Sequence, residues 1–177
     1  MNKKQIIADI FKAGAKAGMT DMETYISDSE SFEVRISKQE IDGYEIASNS
    51  GLGFRGFYEG KIGYSYTEKI APDSVELLVK GAIENAQIND NEDDDVIFSG
   101  SKEYTPVNNV NPDLEKITEK EKIEFAKALE KTALDMDPRV VASQYCMLGT
   151  GSGASMLSNT KGLELTDASN YAYAILM

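Results

Sequence analysis

The chain has 177 residues, enough for one medium domain or two small ones, and its 41% hydrophobic and 27% charged composition is that of a folded globular protein. Thirty acidic residues against 18 basic ones give a net charge of −12, a field that repels a phosphate backbone or an anionic membrane. Histidine is absent, which excludes His-based triads and His-based zinc sites from these residues.

The first element is an amphipathic helix over residues 4–17, where Ile6, Ile7, Ile10, Phe11, Ala13 and Ala17 recur near helical spacing. Gly14 interrupts it at some cost in propensity, and Gly18 supplies a stop. The opening MNKKQIIADIF lacks the apolar run of a signal peptide, and no segment reaches the ~20 apolar residues that span a bilayer. A lone cysteine, Cys146, forms no internal disulfide, so a cytoplasmic location is expected.

From Glu23 to Glu68 short alternating segments, among them ETYISD, FEVRISK, GYEIAS, GFRGFYEG and KIGYSYTE, read as an antiparallel meander. A second helix is expected over 74–86, capped by Asp73 or Ser74, with Val75, Leu78, Val79, Ala82, Ile83 and Ala86 on its apolar stripe. Residues 89–117 have the composition of an acidic polar linker in which only Val96, Ile97 and Phe98 look ordered. Thr118 and Glu121 then fit a capping box for a third helix with Phe125, Ala126, Leu129, Ala133 and Met136 on its apolar face, ended by Asp137 and Pro138. Beyond it VVASQYCML, GASMLSN, GLELTD and YAYAILM alternate like strands, the last one ending as a truncated chain would.

The two halves resemble each other. Each runs helix, strand, strand and a Ser-Asn turn followed by glycine, SNSG at 48–51 and SNTKG at 158–162. The expected fold is therefore α+β, two tandem helix-plus-antiparallel-meander repeats with helices packed on sheet and the second repeat cut short. The expected divisions are a first repeat at 1–88, the linker at 89–117 and the second repeat at 118–177.

Few residues carry chemistry. Asp90, Glu92, Asp93, Asp94 and Asp95 lack the glycine and bidentate glutamate of a calcium loop and read as a solvated run. The GTGSG segment at 149–153 has no following lysine and opens no helix, so it reads as glycine-softened strand rather than phosphate cradle. Cys146 lies among apolar residues with no histidine to activate it and reads as a buried thiol. Arg55, in LGFRGFYEG, is placed either to clamp a carboxylate or a peptide terminus or to pair with Glu59 on the surface. Tyr58, Tyr64 and Tyr66 crowd the same hairpin, where they either pack across strands or line a cleft for an extended peptide. Arg55, Tyr58 and Tyr64 are the candidate peptide-binding residues; there are no candidate catalytic or metal-binding residues.

The order of a starting helix, then a strand entering SNSGLGFR, a glycine-rich hairpin, GYSYT and the helix SVELLVKGAIENA, with ASMLSNTKGLEL later, resembles the N-terminal domain of the TldD/PmbA family across essentially the whole chain. The resemblance implies a cytoplasmic zinc-dependent peptidase system, linked to peptide-antibiotic maturation and to the label of gyrase modulator. In it two related subunits pair, as a homo- or heterodimer, and act on a peptide or unfolded polypeptide. It also implies that zinc is held by an H-E-x-x-x-H helix in a C-terminal domain, a motif this histidine-free chain lacks, so no cofactor is expected within these residues and zinc is expected in the full-length protein or its partner. The pattern is more PmbA-like than TldD-like. The alternative is a non-enzymatic protein-binding or regulatory module of gyrase-modulator type.

Overall fold

The computed structural model describes residues 2–90 and 95–177. Its elements run α1 (Lys3–Lys16), β1 (Thr20–Ser37), β2 (Glu40–Tyr58), β3 (Lys61–Thr67), α2 (Ser74–Ile88), a 3-10 turn (Leu114–Lys116), α3 (Glu119–Met136), β4 (Cys146–Asn159) and β5 (Glu164–Leu176). The strands form one antiparallel sheet in the order β3-β2-β1-β4-β5, and the fold is α+β with helices packed on sheet, as expected.

Local sequence accounts for the helix ends. Asn2 caps α1 through its side chain, which accepts from the Lys4 amide, and Gly18 leaves the helix at φ +90°. The full capping box forms at α3, where the Thr118 side chain accepts from the Glu121 amide and the Glu121 carboxylate accepts from the Thr118 N–H. Neither Asp73 nor Ser74 caps α2 as expected: Asp73 makes no side-chain cap, and the Ser74 hydroxyl instead donates to the Lys69 carbonyl.

Three expectations for the strands and helix faces are corrected. The five short segments of the first meander are three strands, because β1 and β2 run on through their polar middles as edge-to-edge partners rather than turning. The SNSG turn at 48–51 is therefore strand, part of β2, with no left-handed residue; the turn at 159–162 does form, with Gly162 at φ +94°. On α3, Phe125 and Met136 are exposed, while Ala126 and Glu130 are buried.

The chain folds into two compact units that interleave along the sequence. The first takes residues 1–28, 49–106 and 154–167. Its core gathers Ile6, Ile7 and Ile10 of α1, Leu52 and Phe54 of β2, and Leu78, Val79 and Ala82 of α2, with Met19, Met22 and Ile26. Two glycines let backbone and side chains close here: a Cβ at Gly14 would lie 2.4 Å from the Met22 sulfur, and one at Gly63 would lie 1.8 Å from the Ala82 carbonyl oxygen of α2. The second unit takes residues 29–48, 107–153 and 168–177. There Phe32, Val34, Ile36, Cys146 and Leu148 pack against Ala126, Ile123 and Leu129 of α3. The Asn109–Asn111 stretch is tied to β5 by a parallel bridge, Asn109 to Ser169, and by a reciprocal pair in which Asn111 N–H donates to Asn170 Oδ1 and Asn170 Nδ2 donates to the Asn111 carbonyl.

Candidate functional site

The first unit carries a groove of about 470 Å³ on the sheet, lined by Glu23, Tyr25 and Ser27 of β1, Gly51, Gly53 and Arg55 of β2, and Tyr64 and Tyr66 of β3. Strand alternation builds it. Met22 and Ile26 of β1 and Leu52 and Phe54 of β2 point into the core, so Glu23, Tyr25, Gly53 and Arg55 point the other way. The β2–β3 register sets Arg55 directly opposite Tyr64 and Gly53 opposite Tyr66. The turn joining these strands puts both Glu59 and Gly60 at positive φ, 50° and 80°, a primed hairpin turn.

The sequence expectations separate here. Arg55 and Tyr64 come together in the groove, with Tyr66 beside them. Tyr58 does not join them; it packs on the α1 side against the core, its ring 3.7 Å from where a Cβ would stand at Gly18. Nor does Arg55 pair with Glu59. Its Nε and Nη2 donate to one oxygen of Glu23 at 2.8 and 2.6 Å, while the other Glu23 oxygen accepts a long 3.5 Å bond from Asn159 Nδ2. Glu23 is 6% exposed, so the pair anchors a buried carboxylate at the groove's floor, with the guanidinium half-exposed above it. Asn159 also donates to the Phe98 carbonyl and accepts from the Lys161 and Leu163 amides, which fixes the turn beneath.

Tyr64 leans over Gly53, where an added Cβ would stand 3.1 Å from its hydroxyl. The floor between the rings is therefore main chain, open to close approach by a second backbone. The rims are aromatic, with Tyr25 48%, Tyr64 54% and Tyr66 67% exposed. Chemically the groove offers apolar ring faces, a backbone floor and the guanidinium N–H groups that Glu23 does not occupy. Glu23 and Tyr25 escaped the sequence reading because their partners are far along the chain; the alternation of MET-Y-I-S around Met22 and Ile26 is the signal that places them on the outer face.

The other sites considered settle as follows. Cys146 is buried, its thiol pushed up in pKa first by burial and then by the charge of Glu130, which leaves it a packed thiol rather than a thiolate ligand. Gly149 and Gly151 lie within β4 beneath the stacked rings of Tyr173 and Tyr171, in strand rather than a phosphate cradle. Glu92, Asp93 and Asp94 of the acidic run lie outside the described residues; Asp90 faces Lys61 at 3.5 Å. Among the described residues no three His, Cys, Asp or Glu side chains form a metal-holding group, and these residues offer no donor set that fits zinc. No described helix is long and apolar enough to cross a membrane.

The model of the PmbA/TldA metallopeptidase domain 1 matches residues 22–86, and that of the PmbA/TldA metallopeptidase central domain matches residues 112–177. No curated protein sequence matches. Among solved structures, a candidate modulator of a DNA gyrase from Thermotoga maritima superposes with a TM-score of 0.86 at 22% identity, over 98% of this chain and 39% of that one. TldE from Thermococcus kodakarensis gives 0.85 at 18% identity, over 97% and 38%. A candidate modulator of DNA gyrase from Bacteroides thetaiotaomicron gives 0.83 at 18% identity, over 96% and 39%. At these identities the likeness is one of fold, and the chain spans about two fifths of the length of each structure it matches. The two consecutive domain matches together cover most of the sequence: the chain belongs to the PmbA/TldD metallopeptidase family.

Proposed function

We propose that the chain is the N-terminal part of a TldD/PmbA-type metallopeptidase-complex subunit, cytoplasmic and PmbA-like, in which the groove of the first unit shapes the path of a peptide during proteolysis or peptide maturation. The observation that carries the reading is the pairing of Arg55 with Tyr64 over a glycine floor. Glycine lets a peptide backbone approach, the tyrosine faces take apolar side chains at low entropy cost, and the free guanidinium N–H groups meet a carboxylate such as a peptide terminus. Zinc belongs to another part of the full-length protein or to its partner, and would there supply the Lewis acid and activated water for hydrolysis.

Two measurements test this. In the assembled peptidase, Arg55→Lys keeps a cation against Glu23 but loses the fork, and is expected to lower kcat/KM for peptide by about tenfold or more, the worth of one charge-assisted hydrogen bond. Unchanged turnover, with the melting temperature also unchanged, would sink the groove's role. Zinc stoichiometry on the full-length protein, purified alone, separates the subunit types: one tight zinc per chain would make it TldD-like, and none would make it PmbA-like. The alternative of a non-enzymatic regulatory module draws support from the gyrase-modulator names of two matched structures. It requires an absence of turnover in every subunit pairing.

A further inference from the structure

The sheet is not closed evenly along β2. Its pairing with β3 begins at Leu52 opposite Thr67, so among the described residues no strand lies against that side of β2 from Glu40 to Ser48, within the second unit. The other edge strand of that unit, β5, is met by the Asn109–Asn111 strap; among the described residues nothing comparable reaches β2. This open stretch is extended and exposed, with Ile41 at 47%, Tyr44 at 47% and Ile46 at 56%. An edge of this length and apolarity presents a row of unpaired main-chain N–H and C=O groups that favours strand addition.

The charge beside the edge is predominantly acidic. Glu40, Asp42 and Glu45 lie on β2 itself, and among the described residues none has a cation within ion-pair distance. Next to Ile46 a groove of about 510 Å³ is lined by Glu30, Phe32, Glu115 and Glu119, with Lys122 inside it. Lys122 is already engaged: its ammonium donates to Thr150 Oγ1 at 3.0 Å and sits 5.0 Å from the Phe32 ring centre. Glu119 accepts from the Tyr44 hydroxyl at 2.6 Å, which holds that ring upright at the edge. Arg35 lies over Gly43, and it leaves the acidic excess in place.

We propose that residues Glu40–Ser48 of β2 are a docking edge for an extended, basic polypeptide segment, which adds as a further strand and sets Lys or Arg side chains toward Asp42, Glu115 and Glu119, on the face of Tyr44 and Ile46. Main-chain bonding gives affinity, and the carboxylates select for basic residues. A second copy of this chain is a poor occupant, because β2 against β2 would bring two sets of Glu40, Asp42 and Glu45 onto one seam. The site is separate from the groove around Arg55 and does not depend on its function.

The test uses the 177-residue chain and a fluorescent nine-residue peptide of alternating Lys and Val, followed by anisotropy. Tighter binding than the Glu/Val counterpart by about tenfold is expected at low salt, falling as salt screens the carboxylates. Of two Lys/Val peptides N-methylated on alternate residues, one loses binding and the other keeps it, since a strand offers only one of its edges. The surface variant carrying Asp42→Lys and Glu115→Lys reverses the preference toward the Glu/Val peptide, and bound peptide slows amide exchange at residues 40–48. Equal binding of the basic and acidic peptides, equal effects of the two methylation patterns, or protection of residues 40–48 by concentration-dependent dimerisation instead of by peptide would each overturn the proposal.

Discussion

Glu130 is a charged residue in the middle of α3 with 1% of its surface exposed, and it explains a turn of unlikely sequence. The β1–β2 turn places Lys38 and Gln39 at φ 55° and 65°, a left-handed conformation that glycine or asparagine usually occupies and that costs other residues ~1 kcal/mol or more each. The Glu130 carboxylate accepts from both of their amides, at 3.1 and 2.7 Å, from Gln39 Nε2 at 2.9 Å and from the Ser143 hydroxyl. Burial alone pushes its pKa up, but the donors from Ser143, Gln39 and Lys38 outweigh burial and hold it below the ordinary glutamate value. A depressed folded-state pKa means the stabilisation is present above the unfolded glutamate pKa and is lost as pH falls through the folded value. Glu130→Gln is therefore expected to destabilise the protein by ~1–3 kcal/mol near neutral pH and to flatten the acid limb of its stability curve. Urea unfolding at pH 7 and pH 4 measures both, and an unchanged acid limb would contradict this account. Nothing in the sequence signalled Glu130, because a glutamate three residues from Lys127 on a charged helix looks like part of a solvated face, and the turn it holds lies some ninety positions away.

At the scale of elements, the features decided by neighbours in sequence were readable and those decided by distant strands were not. The stripe of α2 and the capping box of α3 depend on spacings of three and four, and they appear as read. The apolar face of α3 was misjudged at Phe125 and Met136 because periodicity gives a stripe but not which part of it the sheet covers. The SNSG segment has the residues of a turn, yet β2 runs through it, since the long pairing with β1 continues on either side. Gly14 likewise reads as a local weakness, whereas it marks a close approach, as Gly63 does. At Gly63 an added Cβ would meet the α2 backbone at Ala82 and Ala86, atoms that cannot rotate away, so Gly63→Ala is expected to cost ~3 kcal/mol or more by forcing α2 off β3. Gly53→Ala meets only the movable Tyr64 ring and should cost well under half as much. Denaturant midpoints of the two variants test the contrast, and equal losses would mean that α2 shifts freely.

At the scale of the whole molecule, the sheet order β3-β2-β1-β4-β5 sets β1 beside a strand that begins more than a hundred residues later, a pairing that no local pattern announces. The same long strands give the chain two units with unequal cores. Among the described residues the first has twelve buried core residues in its main cluster and the second has six. At ~1.5–3 kcal/mol for each large apolar side chain fully buried, the difference exceeds what a few additional hydrogen bonds in the second unit restore. Surface charge does not redress it, because the ion pairs Lys116–Asp113, Lys131–Asp135 and Arg139–Asp137 of the second unit are mostly exposed and worth little. The second unit is thus expected to open below the global unfolding free energy, starting from the β1–β2 turn and α3, while the β2–β3 hairpin and α2 stay closed. Native-state hydrogen exchange resolves this directly. Amides of Val34, Ile36 and Leu148 should share a lower opening free energy than those of Phe54, Gly56 and Ser65. A single common value would instead mean that the continuous strands transmit stability along their whole length, and that the two cores unfold as one.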